Sequence, residues 1–270
     1  MASVRRELRD LGIPPLKRFG QHFLLSQEAR DRLIEEAELS REDTVVEVGA
    51  GLGFLTSALA SRSSNVIAIE KDKTLSKYLE DKFSTNPNIR VIQGDALTVQ
   101  IPPNSKIVSS PPYNISSKLI LRILSSKFRL ASLLLQEDFV KRLTAPSGSR
   151  DYGRLTVMLQ TRARAKYVSR VPRSVFYPQP KVDSAITTIR RTSIGPTPGD
   201  DRIFEELVRA LFTQRRRKAR GVLSRHLQAS YRDQKELILT STNLGDKRVY
   251  ELTPTDFVKL SNLIADSVKS

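Results

Sequence analysis

The sequence predicts an α/β chain: a parallel sheet with helices on both faces, followed by a small C-terminal helical domain. Three observations lead there. From about residue 26 to 136, short apolar runs alternate with amphipathic helical stretches, the pattern of strands joined by helical crossovers. A glycine-rich turn, Gly49-Ala-Gly-Leu-Gly53, stands between the first buried run and the next helix. Beyond the Gly- and Pro-rich stretch Thr192 to Asp200 the strand patterns stop and helical ones take over.

The elements follow in order. Ser26 is placed to cap a helix running to about Leu39, with Leu33, Ile34 and Ala37 on its apolar face. Thr44 to Val48 (TVVEV) reads as a short buried strand, and a helix runs from about Phe54 to Ser61. Asn65 to Ile69 is the next strand and Asp72 to Phe83 the next helix. Ile89 to Ile92 and Ile107 to Ser109 continue the strands, Lys118 to Leu124 is helical, and Ala131 to Leu135 is extended. Ser184 to Arg190 (SAITTIR) alternates as a later strand, whereas 202–227, 231–240 and 254–266 read as helices. With Gly195, Pro196, Pro198 and Gly199 marking a linker, the chain divides into residues 1–194, with a basic N-terminal extension, and 195–270.

Composition narrows the function. No apolar run approaches the ~20 residues that a membrane span needs, and the N-terminus lacks the apolar stretch of a secretory signal, so a cytoplasmic location is expected. The absence of cysteine excludes disulfides, zinc–thiolate sites and cysteine nucleophiles. Forty-five Lys and Arg against 29 Asp and Glu give a net charge of +16, which attracts polyanions and points to nucleic acid as the partner. The run Arg215-Arg216-Arg217-Lys218 is the candidate for phosphate contacts.

Two elements carry chemistry. Gly49, Gly51 and Gly53, at a strand end before a helix, let a ligand lie against bare backbone. Phe54 occupies the place where a dinucleotide fingerprint would need glycine, so the turn suits a cofactor without a pyrophosphate. Glu70, at the end of the next strand, can accept hydrogen bonds from both hydroxyls of a ribose, and Asp95, after the third strand, from an adenine amino group. The second element is Ser110-Pro111-Pro112-Tyr113 after the fourth strand. It resembles the loop with which methyltransferases act on exocyclic amino groups. The side chain at 110 and the carbonyl of Pro111 can accept from such an amino group, the prolines hold that carbonyl rigidly, and Tyr113 can stack on a base.

These residues sit in a wider pattern: Lys17-Arg-Phe-Gly-Gln-His-Phe-Leu24, Val46-Glu-Val-Gly-Ala-Gly-Leu-Gly-Phe-Leu-Thr56, Pro112-Tyr-Asn-Ile-Ser-Ser117, Tyr152-Gly-Arg-Leu155, Phe176-Tyr-Pro-Gln-Pro-Lys-Val-Asp-Ser184 and Phe212-Thr-Gln-Arg-Arg216. In these segments the chain resembles the small-subunit rRNA adenine dimethyltransferases (the KsgA/RsmA group), from about residue 15 to 230. The resemblance implies a Rossmann-like class I methyltransferase sheet and S-adenosylmethionine as cofactor. It also implies dimethylation of the 6-amino groups of two adjacent adenosines near the 3′ end of small-subunit rRNA. His22, Leu24, Gly49, Glu70, Asp95 and Ser110 match the family's cofactor-contact positions, with Gly51 in the same turn. Tyr113 and Phe176 match the aromatic residues expected around the target base. The partner implied is the small ribosomal subunit, gripped in part by the C-terminal helical domain, and the enzyme is expected to act as a monomer without a metal.

The chain departs from the family where Ser110 stands for the usual Asn and Pro111 for an apolar residue such as Leu. Serine supplies a shorter hydroxyl that still accepts a hydrogen bond. Three alternatives stay open at this level: a large-subunit rRNA adenine methyltransferase, a DNA cytosine amino-methyltransferase, and an assembly factor that has lost turnover.

Overall fold

The computed structural model describes residues 2–16, 19–192 and 197–269. Lys17 and Arg18 of the first quoted segment lie outside the described residues, as do 193–196, which hold the expected 194/195 boundary and Gly195 and Pro196 of the linker.

In chain order the elements are α1 (Ala2–Asp10), β1 (Phe23–Leu24), α2 (Gln27–Glu35), β2 (Thr44–Val48), α3 (Phe54–Ala60), β3 (Asn65–Glu70), α4 (Lys73–Lys82), β4 (Ile89–Gln93), β5 (Lys106–Ser109), α5 (Ser116–Ser125), β6 (Leu130–Gln136), α6 (Glu137–Leu143), α7 (Arg154–Gln160), β7 (Ala163–Val171), β8 (Phe176–Tyr177), β9 (Ser184–Arg191), α8 (Asp201–Phe212), α9 (Ala219–Ser230), α10 (Lys235–Thr240) and α11 (Pro254–Lys269). They form two compact units, Met1–Val140 with Ala165–Arg191, and Lys141–Arg164 with Thr192–Ser270. The second unit therefore takes in Lys141–Arg164, which the sequence division assigned to the first; α7 packs on α8 and α11, and burial there outweighs position in the chain.

The first unit holds a seven-stranded sheet in the order β4-β3-β2-β5-β6-β9-β7. Strands β4 to β6 pair in parallel, and β9 runs antiparallel to β6. The helix starts have local causes: Ser26 Oγ accepts from the Ala29 N–H, and Asp72 accepts from the N–H groups of Thr74 and Leu75. Leu33, Ile34 and Ala37 enter the core as expected, against Val45, Val66, Val108 and Leu134 of the sheet. The connection after β4 returns the chain to the far side of β2, so the strand order reverses between β2 and β5. A crevice lies outside their carboxyl ends there.

Several elements were not visible in the sequence. In β7, Arg164, Lys166 and Arg170 interrupt the apolar residues; the strand lies at a sheet edge, where one face tolerates charge. Helix α1, within what read as a basic extension, buries Val4 and Leu8, with Ile13 beyond it, in a cluster with Leu52 and Leu75. Strands β1 and β8 have two residues each and pair with each other, Phe23 opposite Tyr177 and Leu24 opposite Phe176.

In the second unit the expected helix 202–227 is two helices, α8 and α9, joined by residues 213–218. That joint, Thr-Gln-Arg-Arg-Arg-Lys, has no apolar side chain to bury, whereas Phe204, Leu207, Val208 and Leu211 before it and Ala219, Val222, Leu223 and Leu227 after it are all buried. The helix expected at 231–240 contracts to α10, and α11 extends its counterpart to Lys269. Among the described residues no helix is long and apolar enough to cross a membrane.

Candidate active site

The crevice between β2 and β5 is a pocket walled by residues 19–24 and 47–52 and by the 110–115 loop, with Glu70, Lys71 and Asp95 at its side. His22, Leu24, Gly49, Gly51, Glu70, Asp95, Ser110, Pro111, Pro112 and Tyr113 all line it. Gathering these is the work of the topology: each lies at a strand end or in the β1 ribbon beside the point where strand order reverses.

The glycine turn is shaped by steric need at two positions. Gly53 has φ +78°, and a Cβ there would stand 2.7 Å from the Phe83 ring and 2.8 Å from Leu79. Gly49 has φ +75°, and its would-be Cβ meets the Pro112 ring at 3.3 Å, so the turn after β2 and the loop after β5 pack closely.

Glu70 is buried, and its two oxygens accept from the Gly51 N–H and the Asp72 N–H, each at 2.9 Å. Burial pushes its carboxyl up from the ordinary range. Asp95 accepts from the Leu97 N–H at 2.9 Å and pairs with Lys71 at 2.9 Å, and these contacts hold its carboxyl below the usual carboxylate range. Each oxygen of both carboxylates keeps a lone pair for a further donor. Ser110 is half-buried and Pro111 is buried.

Tyr113 opens a short 3₁₀ turn, Tyr113–Ile115. Its ring stacks on His22, with centroids 5.6 Å apart and planes at 25°, and its hydroxyl lies 2.5 Å from Ser184 Oγ. His22 Nδ1 is 2.6 Å from the Pro178 carbonyl; a carbonyl only accepts, so Nδ1 carries the proton.

Sequence reasoning passed over Glu47, the first residue of the glycine motif. It lines the pocket, is 2% exposed, and accepts from Thr56 Oγ1 at 2.6 Å. Burial pushes its carboxyl up from 4.5 to about 8, with nearby Glu70 adding to the shift. Between those values the folded chain keeps a proton that the unfolded chain has lost, so this group makes stability fall as pH rises from about 4.5 towards 8. Glu47→Gln keeps an acceptor for Thr56 and removes the titration. Its stability relative to the parent is expected to improve by roughly 2 kcal/mol between pH 6 and pH 8.5, read as the difference between thermal melts at the two pH values. An unchanged difference would mean that Glu47 is ionised throughout.

Two expectations are corrected. Phe176 is not at the pocket: it is 2% exposed and packs with Leu33, Ile34, Val171 and Ile186, because pairing of β8 with β1 turns its ring into the core. Arg215 does not face solvent from a helix. Its guanidinium donates to the carbonyls of Ser149 (3.3 Å), Arg150 (3.0 Å) and Tyr152 (2.9 Å) and lies over the Tyr250 ring. Arg216, Arg217 and Lys218 are exposed, and Lys218 pairs with Asp246. Arg215→Ala is expected to cost about 2 kcal/mol of stability, since three charge-assisted hydrogen bonds to backbone carbonyls, two of them part-buried, are lost. Arg216→Ala and Arg217→Ala are expected to leave the melting temperature unchanged while each lowers the salt slope of RNA binding by about 0.7 to 0.9. Equal effects on melting from all three would place them in one structural role.

Among the described residues no group of three or more His, Asp or Glu side chains could hold a metal. The mostly parallel sheet with its reversal point, and the glycine turn, strand-end carboxylates and Ser-Pro-Pro-Tyr loop gathered in one crevice, define a class I methyltransferase. The chain belongs to the ribosomal RNA adenine dimethylase family, whose family model matches residues 16–266. It is 40% identical to a probable ribosomal RNA small subunit methyltransferase A of Pyrococcus abyssi, over 96% of this chain and 95% of that one. It is likewise 40% identical to one of Methanosarcina mazei, over 92% of each. Among solved structures it is similar to a dimethyladenosine transferase from Plasmodium falciparum, with TM-score 0.76 and 26% identity over 88% of this chain and 95% of that one. It is also similar to the 23S rRNA methyltransferase ErmE, with TM-score 0.66 and 32% identity over 90% of this chain and 99% of that one.

Proposed function

We propose that this chain uses S-adenosylmethionine to dimethylate the 6-amino groups of two adjacent adenosines near the 3′ end of small-subunit rRNA, during assembly of the small ribosomal subunit in the cytoplasm. The observation that carries this reading is the placement of the Ser110–Tyr113 loop in the same pocket as Glu70 and Asp95.

The residues present fit the cofactor. Glu70 and Asp95 are acceptor-only carboxylates with spare lone pairs, matched to ribose hydroxyls and an adenine amino group. The buried Glu70, whose two oxygens already accept backbone N–H groups, disfavours a phosphate in the same place. His22, Leu24, Gly49 and Gly51 complete the wall that would hold it. When bound, S-adenosylmethionine supplies an electrophilic methyl group on a sulfonium sulfur.

The chain's own residues orient the acceptor. The target adenine leaves its stack at a cost of a few kcal/mol and enters beside Tyr113. The Ser110 hydroxyl and Pro111 carbonyl accept from its amino group and aim the nitrogen lone pair, while the paired prolines keep that carbonyl from moving. A shorter Ser110 serves in place of Asn because the rigid Pro111 carbonyl provides the second acceptor. Arg216, Arg217 and Lys218, exposed in the second unit, add phosphate contacts, and residues 195–270 contribute the grip on the subunit. The chain works as a monomer.

The test is transfer of labelled methyl groups to small subunits lacking the modification, with the product nucleosides identified by mass spectrometry. Dimethyladenosine at two adjacent positions is the expected result. Methylcytosine, or methylation of large-subunit RNA in preference, would overturn the substrate assignment. Cofactor binding without transfer to any RNA would leave an assembly factor.

A further inference from the structure

The Phe176–Ser184 segment has lost its expected role at the base, since Phe176 is buried, yet two other atoms of it touch the active-site wall. The Pro178 carbonyl accepts from His22 Nδ1–H, and Ser184 Oγ meets the Tyr113 hydroxyl. We propose that Ser184 is a positioning residue: by hydrogen-bonding the Tyr113 hydroxyl it fixes the ring against which the target base stacks. This rests on the base-stacking reading of Tyr113 given above.

The geometry carries it in three steps. The Tyr113 ring is held on one face by His22 and at its hydroxyl end by Ser184, so one face remains for a base. Both holds are themselves rigid. Ser184 is fully buried, and it begins β9 in register with Gln136 of β6, where a side chain has little freedom to lose. His22 is pinned through Nδ1, and its neighbours Phe23 and Leu24 pair with Tyr177 and Phe176. Finally, Tyr113 sits in a loop and a 3₁₀ turn, with no ladder of its own to fix it. The hydroxyl bond to Ser184 is the one hydrogen bond of that side chain among the described residues. Buried Phe176 thus anchors a bracket, and the bracket's far end reaches the site through Ser184.

The experiment compares Ser184→Ala, Tyr113→Phe and the double variant in single-turnover methylation of unmodified small subunits, with cofactor affinity measured by calorimetry. Each single variant removes the same bond from one side and is expected to lower kcat roughly 5- to 30-fold. Cofactor Kd and the KM for the subunit should stay within about twofold, because neither contact is made through Ser184. The double variant should be no slower than the slower single variant, since the bond can be lost only once. Additive losses, or a Ser184→Ala enzyme with unchanged kcat, would overturn the proposal. A fall in melting temperature with unchanged kcat would show Ser184 to be structural only. Tyr113→Phe carries the same test without a cavity should Ser184→Ala fold poorly. Tyr113→Ala separates the two readings: if it is inactive while Ser184→Ala keeps the parent kcat, only the role of Ser184 fails. If Tyr113→Ala is fully active, base stacking fails and the role of Ser184 with it.

Discussion

Tyr113→Ala is expected to lower the methylation rate about 100-fold, near the top of the range set by base–aromatic stacking, which is worth roughly 1–3 kcal/mol per base. The upper end applies because the ring has more than one task. It offers a face to the base, and its other face packs on His22 at 5.6 Å, so its removal also takes away the stacking partner of the imidazole in the pocket wall. The hydroxyl has no part in the stack, and burial pushes it up from its usual range, so it stays protonated throughout the pH range of the assay. The loss should therefore be independent of pH. The measurement is single-turnover transfer at saturating cofactor, with RNA binding followed separately. A rate within threefold of the parent would remove Tyr113 from the base site.

Glu70→Ala is expected to weaken S-adenosylmethionine binding about 100-fold, the loss of one to two hydrogen bonds to a charged acceptor. The carboxylate does two things at once. It presents spare lone pairs to the pocket, and it ties the Gly51 N–H of the glycine turn and the Asp72 N–H at the start of α4 to the end of β3. Glu70→Gln is expected to recover only part of the affinity, because an amide has one acceptor oxygen and would set its NH₂ against one of these two N–H donors. Calorimetric titration of cofactor into both variants is the check. Equal affinity in parent and Glu70→Ala would show that the ribose hydroxyls are held elsewhere, and Asp95 would be the next residue to test.

Much of the first unit could be read in advance, for a physical reason. Strands β2, β3, β5 and β6 are covered on both faces, so they must be apolar nearly throughout, and such runs stand out between amphipathic helices. Ligands in open α/β sheets bind at carboxyl ends of strands, so Glu70, Asp95 and Ser110 could be picked out as polar groups at or just beyond strand ends. Glu47 escaped because a carboxylate inside an apolar strand gives no hint of whether it faces solvent, a partner or a pocket.

What could not be read depended on contacts between distant segments. The two-residue strands β1 and β8 have no periodicity, yet their pairing sets His22 against Tyr113 and sends Phe176 into the core. A run of four cations looks alike on a solvated helix and in a turn. Arg215 became a latch because the carbonyls of Ser149, Arg150 and Tyr152 converge on it, an arrangement set by the packing of the second unit. Local pattern thus determined which segments are strands and helices and where their polar ends lie, since burial of each element imposes its own period. Which face each aromatic and each arginine presents was decided by pairing across more than 60 residues of chain, as in Tyr113–Ser184 and Arg215–Tyr152, where no local period carries the information.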